Sequence, residues 1–85
     1  MSYQILIESA AARQFKKLPV SVQKDLKVLI DSLASNPRPP GCKKLKGRKN
    51  EYRVRSGSYR VIYTIKDSAL LINVIKIGHR RESYD

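Results

Sequence analysis

A single cysteine, Cys42, leaves this chain of 85 residues without any disulfide of its own. One cysteine and one histidine, His79, give no cluster with metal-ligand spacing, so neither a metal site nor another cofactor is expected. No apolar run approaches the roughly 20 residues that span a bilayer. Met1-Ser2-Tyr3-Gln4 also lacks the basic and then apolar regions of a secretory leader, which predicts a cytoplasmic protein. Acidic residues are scarce as well: 7 Asp and Glu stand against 18 Lys and Arg, for a net charge of +11. Such an excess speaks about partners rather than fold, and the partner it fits is a polyanion. A basic helix on a membrane surface is the other polyanion reading. It is disfavoured because residues 42–85, which read mainly as strands and loops, hold 12 of the basic and 4 of the acidic side chains.

What is present is periodic. Tyr3, Ile5 and Ile7 alternate with Gln4, Leu6 and Glu8 and predict a short strand. Ser9 reads as the N-cap of a helix from about Ala10 to Lys17, with Ala11, Phe15 and Leu18 on one face. Pro19 suits the first turn of a second helix, in which Val22, Leu26, Leu29, Ile30 and Leu33 form an apolar stripe opposite Gln23, Lys24, Lys27 and Asp31. That helix stops near Asn36, because Pro37 disfavours helical geometry in the residue before it, and Pro39-Pro40-Gly41 continue a loop. A solvated basic run follows: Lys43, Lys44, Lys46, Arg48 and Lys49. The rest is strand-rich, with one strand from around Tyr52, another over Tyr59 to Lys66, a turn at Lys66-Asp67-Ser68 and a third strand over Ala69 to Ile77. His79 to Asp85 read as a polar tail or helical turn. The order β-α-α-β-β-β predicts one small α+β domain over 1–85, a largely antiparallel sheet with two N-terminal helices packed on one face. The other face is left for charged side chains.

Two of those strands are joined through Tyr52-Arg53-Val54-Arg55-Ser56-Gly57-Ser58-Tyr59-Arg60. Ser-Gly and Gly-Ser both favour a two-residue loop. If Ser56-Gly57 turns, Arg53 faces Arg60; if Gly57-Ser58 turns, Arg55 faces Arg60. A three-residue loop would reverse the parity. In both two-residue registers Arg53 and Arg55 share a face by alternation, and like charges directly opposed across strands repel. Three guanidiniums that cannot be deprotonated ask for an anion, and their fork-shaped donors suit a phosphodiester.

The order of elements, Leu45-Lys46-Gly47, Tyr52-Arg53-Val54-Arg55, Ser58-Tyr59-Arg60-Val61-Ile62-Tyr63 and Ile77-Gly78-His79-Arg80-Arg81-Glu82-Ser83-Tyr84 together resemble the RelE/ParE superfamily of toxin–antitoxin toxins. The likeness runs over nearly the whole chain, and the RelE branch fits best. It implies a RelE-like two-layer fold and a toxin that enters the ribosomal A site and cleaves mRNA without a metal. There the ribose 2′-hydroxyl attacks the adjacent phosphate and leaves a cyclic phosphate. It also implies a RelB-like antitoxin that wraps around the toxin, so the expected partners are that antitoxin, the ribosome and mRNA. By position, Arg53 and Arg55 stand where the family has two basic residues, often lysines. Arg60 matches the arginine after the hairpin, Arg80 the arginine after the glycine, and Tyr84 the C-terminal tyrosine. Arginine at 53 and 55 is a departure, because lysine loses a proton more readily. A second departure is that little of the C-terminal helix of some relatives follows residue 80.

Attack by a 2′-hydroxyl needs a base, a stabiliser for the charge growing on the phosphorane oxygens, and an acid for the departing 5′-oxygen. On the resemblance, Arg60 and Arg80 contact the phosphate in the transition state, and Arg53 and Arg55 position and neutralise the backbone. Tyr84 is a candidate proton acceptor, since nearby cations favour an ionised phenol. His79 has suitable acid–base chemistry. The family often carries another basic residue there, so His79 is read as structural or as RNA-binding. Arg81, Lys43, Lys44, Lys46, Arg48 and Lys49 are further candidates for docking on RNA or ribosomal phosphate. Tyr52, Tyr59 and Tyr63 offer faces for base stacking, but in a strand context they read first as packing. The plain alternative for the arginines is an exposed basic face that only solubilises the chain. Two other function classes stay open: a ParE-type toxin that binds and inhibits DNA gyrase without RNA chemistry, and a non-catalytic RNA- or ribosome-binding module.

Overall fold

The structure, a computed structural model, describes residues 2–47 and 49–79. Strand β1 (Gln4–Ile7) leads into helices α1 (Ser9–Lys16) and α2 (Val20–Ser32). Four more strands follow: β2 (Lys43–Lys44), β3 (Glu51–Ser56), β4 (Tyr59–Lys66) and β5 (Leu71–His79), with a 3₁₀ turn over Asp67–Ala69 before the last. The sheet order is β1-β5-β4-β3-β2, with β1 parallel to β5 and all other neighbours antiparallel. Two helices on a mostly antiparallel sheet is the α+β plan that the sequence predicts, with one strand more. Lys43 and Lys44, expected as part of a solvated run, pair with Arg53 and Tyr52 of β3. A two-residue strand whose side chains both stay exposed carries no alternation to read.

The helices follow their apolar stripes. Ala11 of α1 and Leu26 and Ile30 of α2 are buried, with Leu33 just beyond α2, while Phe15, Leu18, Val22 and Leu29 pack at the edges of the same core. Ser9 is the first helical residue rather than the cap; Glu8 holds the N-cap position without a side-chain capping bond. Its backbone N–H donates to the Val74 carbonyl at 2.9 Å, which keeps Glu8 extended beside β5. Its carboxylate accepts from Asn73 Nδ2 at 2.9 Å. Pro19 likewise sits at the N-cap of α2, one place before the expected first turn. Gln23, expected on the polar side of α2, folds back to donate to the Leu18 carbonyl at 2.8 Å. The same amide nitrogen donates to the Lys16 carbonyl at 3.3 Å, one of the acceptors left without an intrahelical partner at the end of α1.

The sheet adds Tyr52, Val54, Val61, Tyr63, Ile65, Ile72, Val74 and Ile77 to the core. Val74 and Ile77 are three residues apart, a spacing that strict alternation cannot place on one face. A bulge resolves this. Ile62 pairs with Lys76 while Tyr63 pairs with Val74, so Ile75 is the extra residue. Beyond it Ile77 and His79 take the helix face, and Lys76 and Gly78 take the other. Gln14 of α1 accepts a hydrogen bond from the Ile77 backbone N–H at 2.8 Å and ties this phase to the helix layer. β5 begins at Leu71 rather than Ala69, because Leu70 adopts a left-handed conformation (φ 50°) that ends the 3₁₀ turn. It runs on through His79, expected as the start of a tail.

Candidate nucleic-acid interface

Gly57 and Ser58 form the hairpin loop, with Ser56 paired to Tyr59 and Arg55 to Arg60. Gly57 has φ +59°, the left-handed conformation a type II′ turn requires of its first central residue and one that a Cβ disfavours. Of the two registers open to the sequence, the structure has the one that sets Arg55 directly opposite Arg60. Arg53, opposite Ile62, lies two residues along β3 on the same face.

Arg53 and Arg60 keep only 5% and 4% of their exposure, whereas Arg55 is exposed. Moving a cationic side chain out of water is costly, and a charge kept for solubility alone has no reason to leave it. Burial of two of the three arginines therefore argues against the solubilising reading and for a face shaped to hold them. An anion seated there would meet donors with little freedom left to lose, which is what preorganised electrostatic stabilisation needs.

Strand β2 extends this face. Lys43 pairs with Arg53, and Lys43, Lys44, Leu45 and Lys46 together with Arg53 and Arg55 border a concavity of about 490 Å³. The basic run and the arginine strand, separate in the sequence, form one surface. Lys49 is exposed in the loop before β3. Lys76, opposite Ile62, adds a cation to the arginine face that sequence reasoning passed over, since only the bulge at Ile75 puts it there. His79 is not brought to the arginines: it pairs with Tyr59 on the helix face, and the two rings meet edge-on at 5.2 Å. Arg48, Arg80, Arg81 and Tyr84 lie outside the described residues. Tyr52 and Tyr63 are buried and stacked with ring centroids 6.0 Å apart, which makes them packing residues.

A second cluster, invisible in the sequence, holds the loop before β2. The Arg38 guanidinium grips Asp67 through Nη2 at 2.9 Å and Nη1 at 3.3 Å, and its carbon lies 5.2 Å from the centre of the Tyr52 ring. The Tyr3 hydroxyl donates to the same carboxylate at 2.6 Å. The hydrogen bonds from Arg38 and then from Tyr3 hold the Asp67 carboxyl below the usual aspartate range. A depressed carboxyl contributes stability above its unfolded value and loses it as pH falls through the folded value. Urea unfolding of the wild type and Asp67→Asn should therefore differ by a constant amount at neutral pH. The gap should close only below the ordinary aspartate pKa of about 3.9. A gap that closes between pH 5 and 7 would assign the effect to another group.

Among the described residues no group of His, Cys, Asp and Glu side chains is arranged to hold a metal ion, and no helix is long and apolar enough to cross a membrane. What the surface offers is cationic donors at a fixed spacing.

Over residues 5–84 the chain matches the profile of a family described as the ParE toxin of the type II toxin–antitoxin system parDE. It is 36% identical to the putative toxin RelE1 of Methanocaldococcus jannaschii, across 99% of this chain and 97% of that protein. It is 29% identical to the mRNA interferase toxin RelE of Escherichia coli K12, across 98% and 88%. Among solved structures it is similar to the archaeal RelE–RelB complex from Pyrococcus horikoshii, with a TM-score of 0.84 and 27% identity, covering 98% of this chain and 100% of that one. The intact E. coli RelBE toxin–antitoxin complex is similar with a TM-score of 0.80 and 28% identity, covering 92% and 96%.

Proposed function

We propose that this chain, which belongs to the RelE/ParE superfamily of type II toxin–antitoxin toxins, arrests translation as a metal-independent endoribonuclease that cuts messenger RNA in the ribosomal A site. The observation that carries this reading is the opposition of Arg55 and Arg60, with Arg53 on the same face and Lys43 beside it. Such a face suits a sugar–phosphate backbone. Arg60, with Arg80, contacts the phosphate undergoing attack; Arg53 and Arg55 align and neutralise the chain around it. The name mRNA interferase, carried by a relative at 29% identity, supports the chemistry. Solved relatives in complex with RelB support a RelB-like antitoxin, acidic and partly apolar, that quenches the basic face. Ribosomes as target place the activity in the cytoplasm, and one toxin domain over residues 1–85 performs it.

The test uses ribosomes programmed with a defined A-site codon, with and without purified protein, read by primer extension. New 5′ ends inside that codon are expected with ribosomes, and none on free mRNA. The match to a ParE profile favours a second reading, inhibition of DNA gyrase. Absence of cut products together with loss of gyrase supercoiling would establish that reading in place of the first.

A further inference from the structure

Resting on the endoribonuclease reading, we propose that Lys43 is the proton acceptor for the attacking 2′-hydroxyl. Arg53, Arg55 and Arg60 gather where a phosphodiester would lie, but a guanidinium stays protonated and has no lone pair to offer. A lysine amine releases its proton far more readily. The sheet register brings two lysines to the arginine face, Lys43 on β2 and Lys76 on β5, and Lys43 is the one paired directly with an arginine, since Lys76 stands opposite Ile62. Lys43 is the cross-strand partner of Arg53, and directly paired residues project from the same face. Lys44 pairs instead with Tyr52, whose ring is packed in the core. The charged groups facing Lys43 are Arg53 and Arg55 and, one step further along the same face of β3, Glu51, with Lys44 and Lys46 bordering the same concavity and Lys76 beyond Ile62 on β5.

The step balances without any additional reagent. The 2′-O–H bond breaks and its proton passes to the Lys43 amine, while the 2′-oxygen forms a bond to phosphorus. The bond from phosphorus to the 5′-oxygen breaks, its electron pair stays on that oxygen, and a proton from solvent completes the new 5′-hydroxyl. A 2′,3′-cyclic phosphate remains, and the Lys43 ammonium returns its proton to water.

Lys43→Arg isolates this role because it keeps the charge and removes the titratable amine. The experiment measures single-turnover cleavage on programmed ribosomes from pH 6 to 9, alongside equilibrium binding to the same ribosomes, for wild type, Lys43→Arg, Lys46→Arg, Lys76→Arg and Tyr84→Phe. The expected result is cleavage reduced about 100-fold or more in Lys43→Arg, with binding within about threefold of wild type and the rise of rate with pH abolished. Lys46→Arg, Lys76→Arg and Tyr84→Phe should each keep that rise. Wild-type-like rates and pH dependence in Lys43→Arg overturn the assignment, as does loss of the pH-dependent limb in Lys46→Arg, Lys76→Arg or Tyr84→Phe instead. Equal loss of binding and cleavage in Lys43→Arg also overturns it and makes Lys43 a docking residue. If the wild type itself leaves every A-site codon intact, the endoribonuclease reading fails and the assignment falls with it.

Discussion

Arg60→Ala should bind programmed ribosomes and cut the A-site codon about 100- to 1,000-fold more slowly than the wild type, the loss expected when one preorganised donor is removed from a site of developing negative charge. Arg60 stands between Arg55 on β3 and Gly78 on β5, in the middle of the sheet, and keeps 4% of its exposure. A donor held by two flanking strands does not have to be ordered when the phosphorane forms. Because the side chain is buried, its truncation also removes packing, so Arg60→Lys is measured alongside. The lysine keeps the charge but lacks the planar two-donor fork, and an intermediate rate is expected from it. Circular dichroism and thermal melting separate a lost fold from lost chemistry. A folded Arg60→Ala protein that cleaves at the wild-type rate would falsify the role of this face.

The parts of the fold that were legible in sequence are those that a local pattern encodes. Leu26, Ile30 and Leu33 mark a helix face through their own spacing, and Gly57-Ser58 marks a hairpin through its own backbone freedom. The chemistry of the face was half legible. Gly57 narrowed the pairing to two registers, and choosing between them needed the ladder that sets Ser56 against Tyr59. What stayed hidden depends on residues far apart in the chain. Lys43 joins the arginines only because a two-residue strand finds β3. Lys76 joins them and His79 leaves them because one extra residue, Ile75, resets the phase of β5. Arg38 and Asp67 sit 29 residues apart, and neither one's neighbours announce the other.

Tyr63→Ala should be among the most destabilising single substitutions in this protein, seen as a large fall in the urea midpoint of unfolding. Tyr63 is completely buried at the centre of β4, and truncating a large buried aromatic costs about 3–5 kcal/mol. A chain of this size has roughly 4–13 kcal/mol to lose. Tyr63→Phe separates packing from polarity. Its hydroxyl donates to the Pro37 carbonyl at 2.7 Å, and burial pushes the phenol well above its ordinary range, so it stays a donor. Removing that one bond should cost about 1 kcal/mol of global stability, and the consequence should be local. Pro37 opens the loop that delivers β2, so the Leu45 amide, which donates to the Glu51 carbonyl, should exchange with solvent faster in Tyr63→Phe. Amides of the central core residues Val61 and Ile72 should be protected as in the wild type, apart from the uniform shift that the lower global stability imposes. Cleavage should then weaken with ribosome binding intact, because Lys43 rides on the loosened strand. If Leu45 exchange changes no more than that of Val61 and Ile72, the phenol braces the core alone, and β2 must be held to the arginine strand by the Arg38–Asp67 clamp and its own pairing with β3.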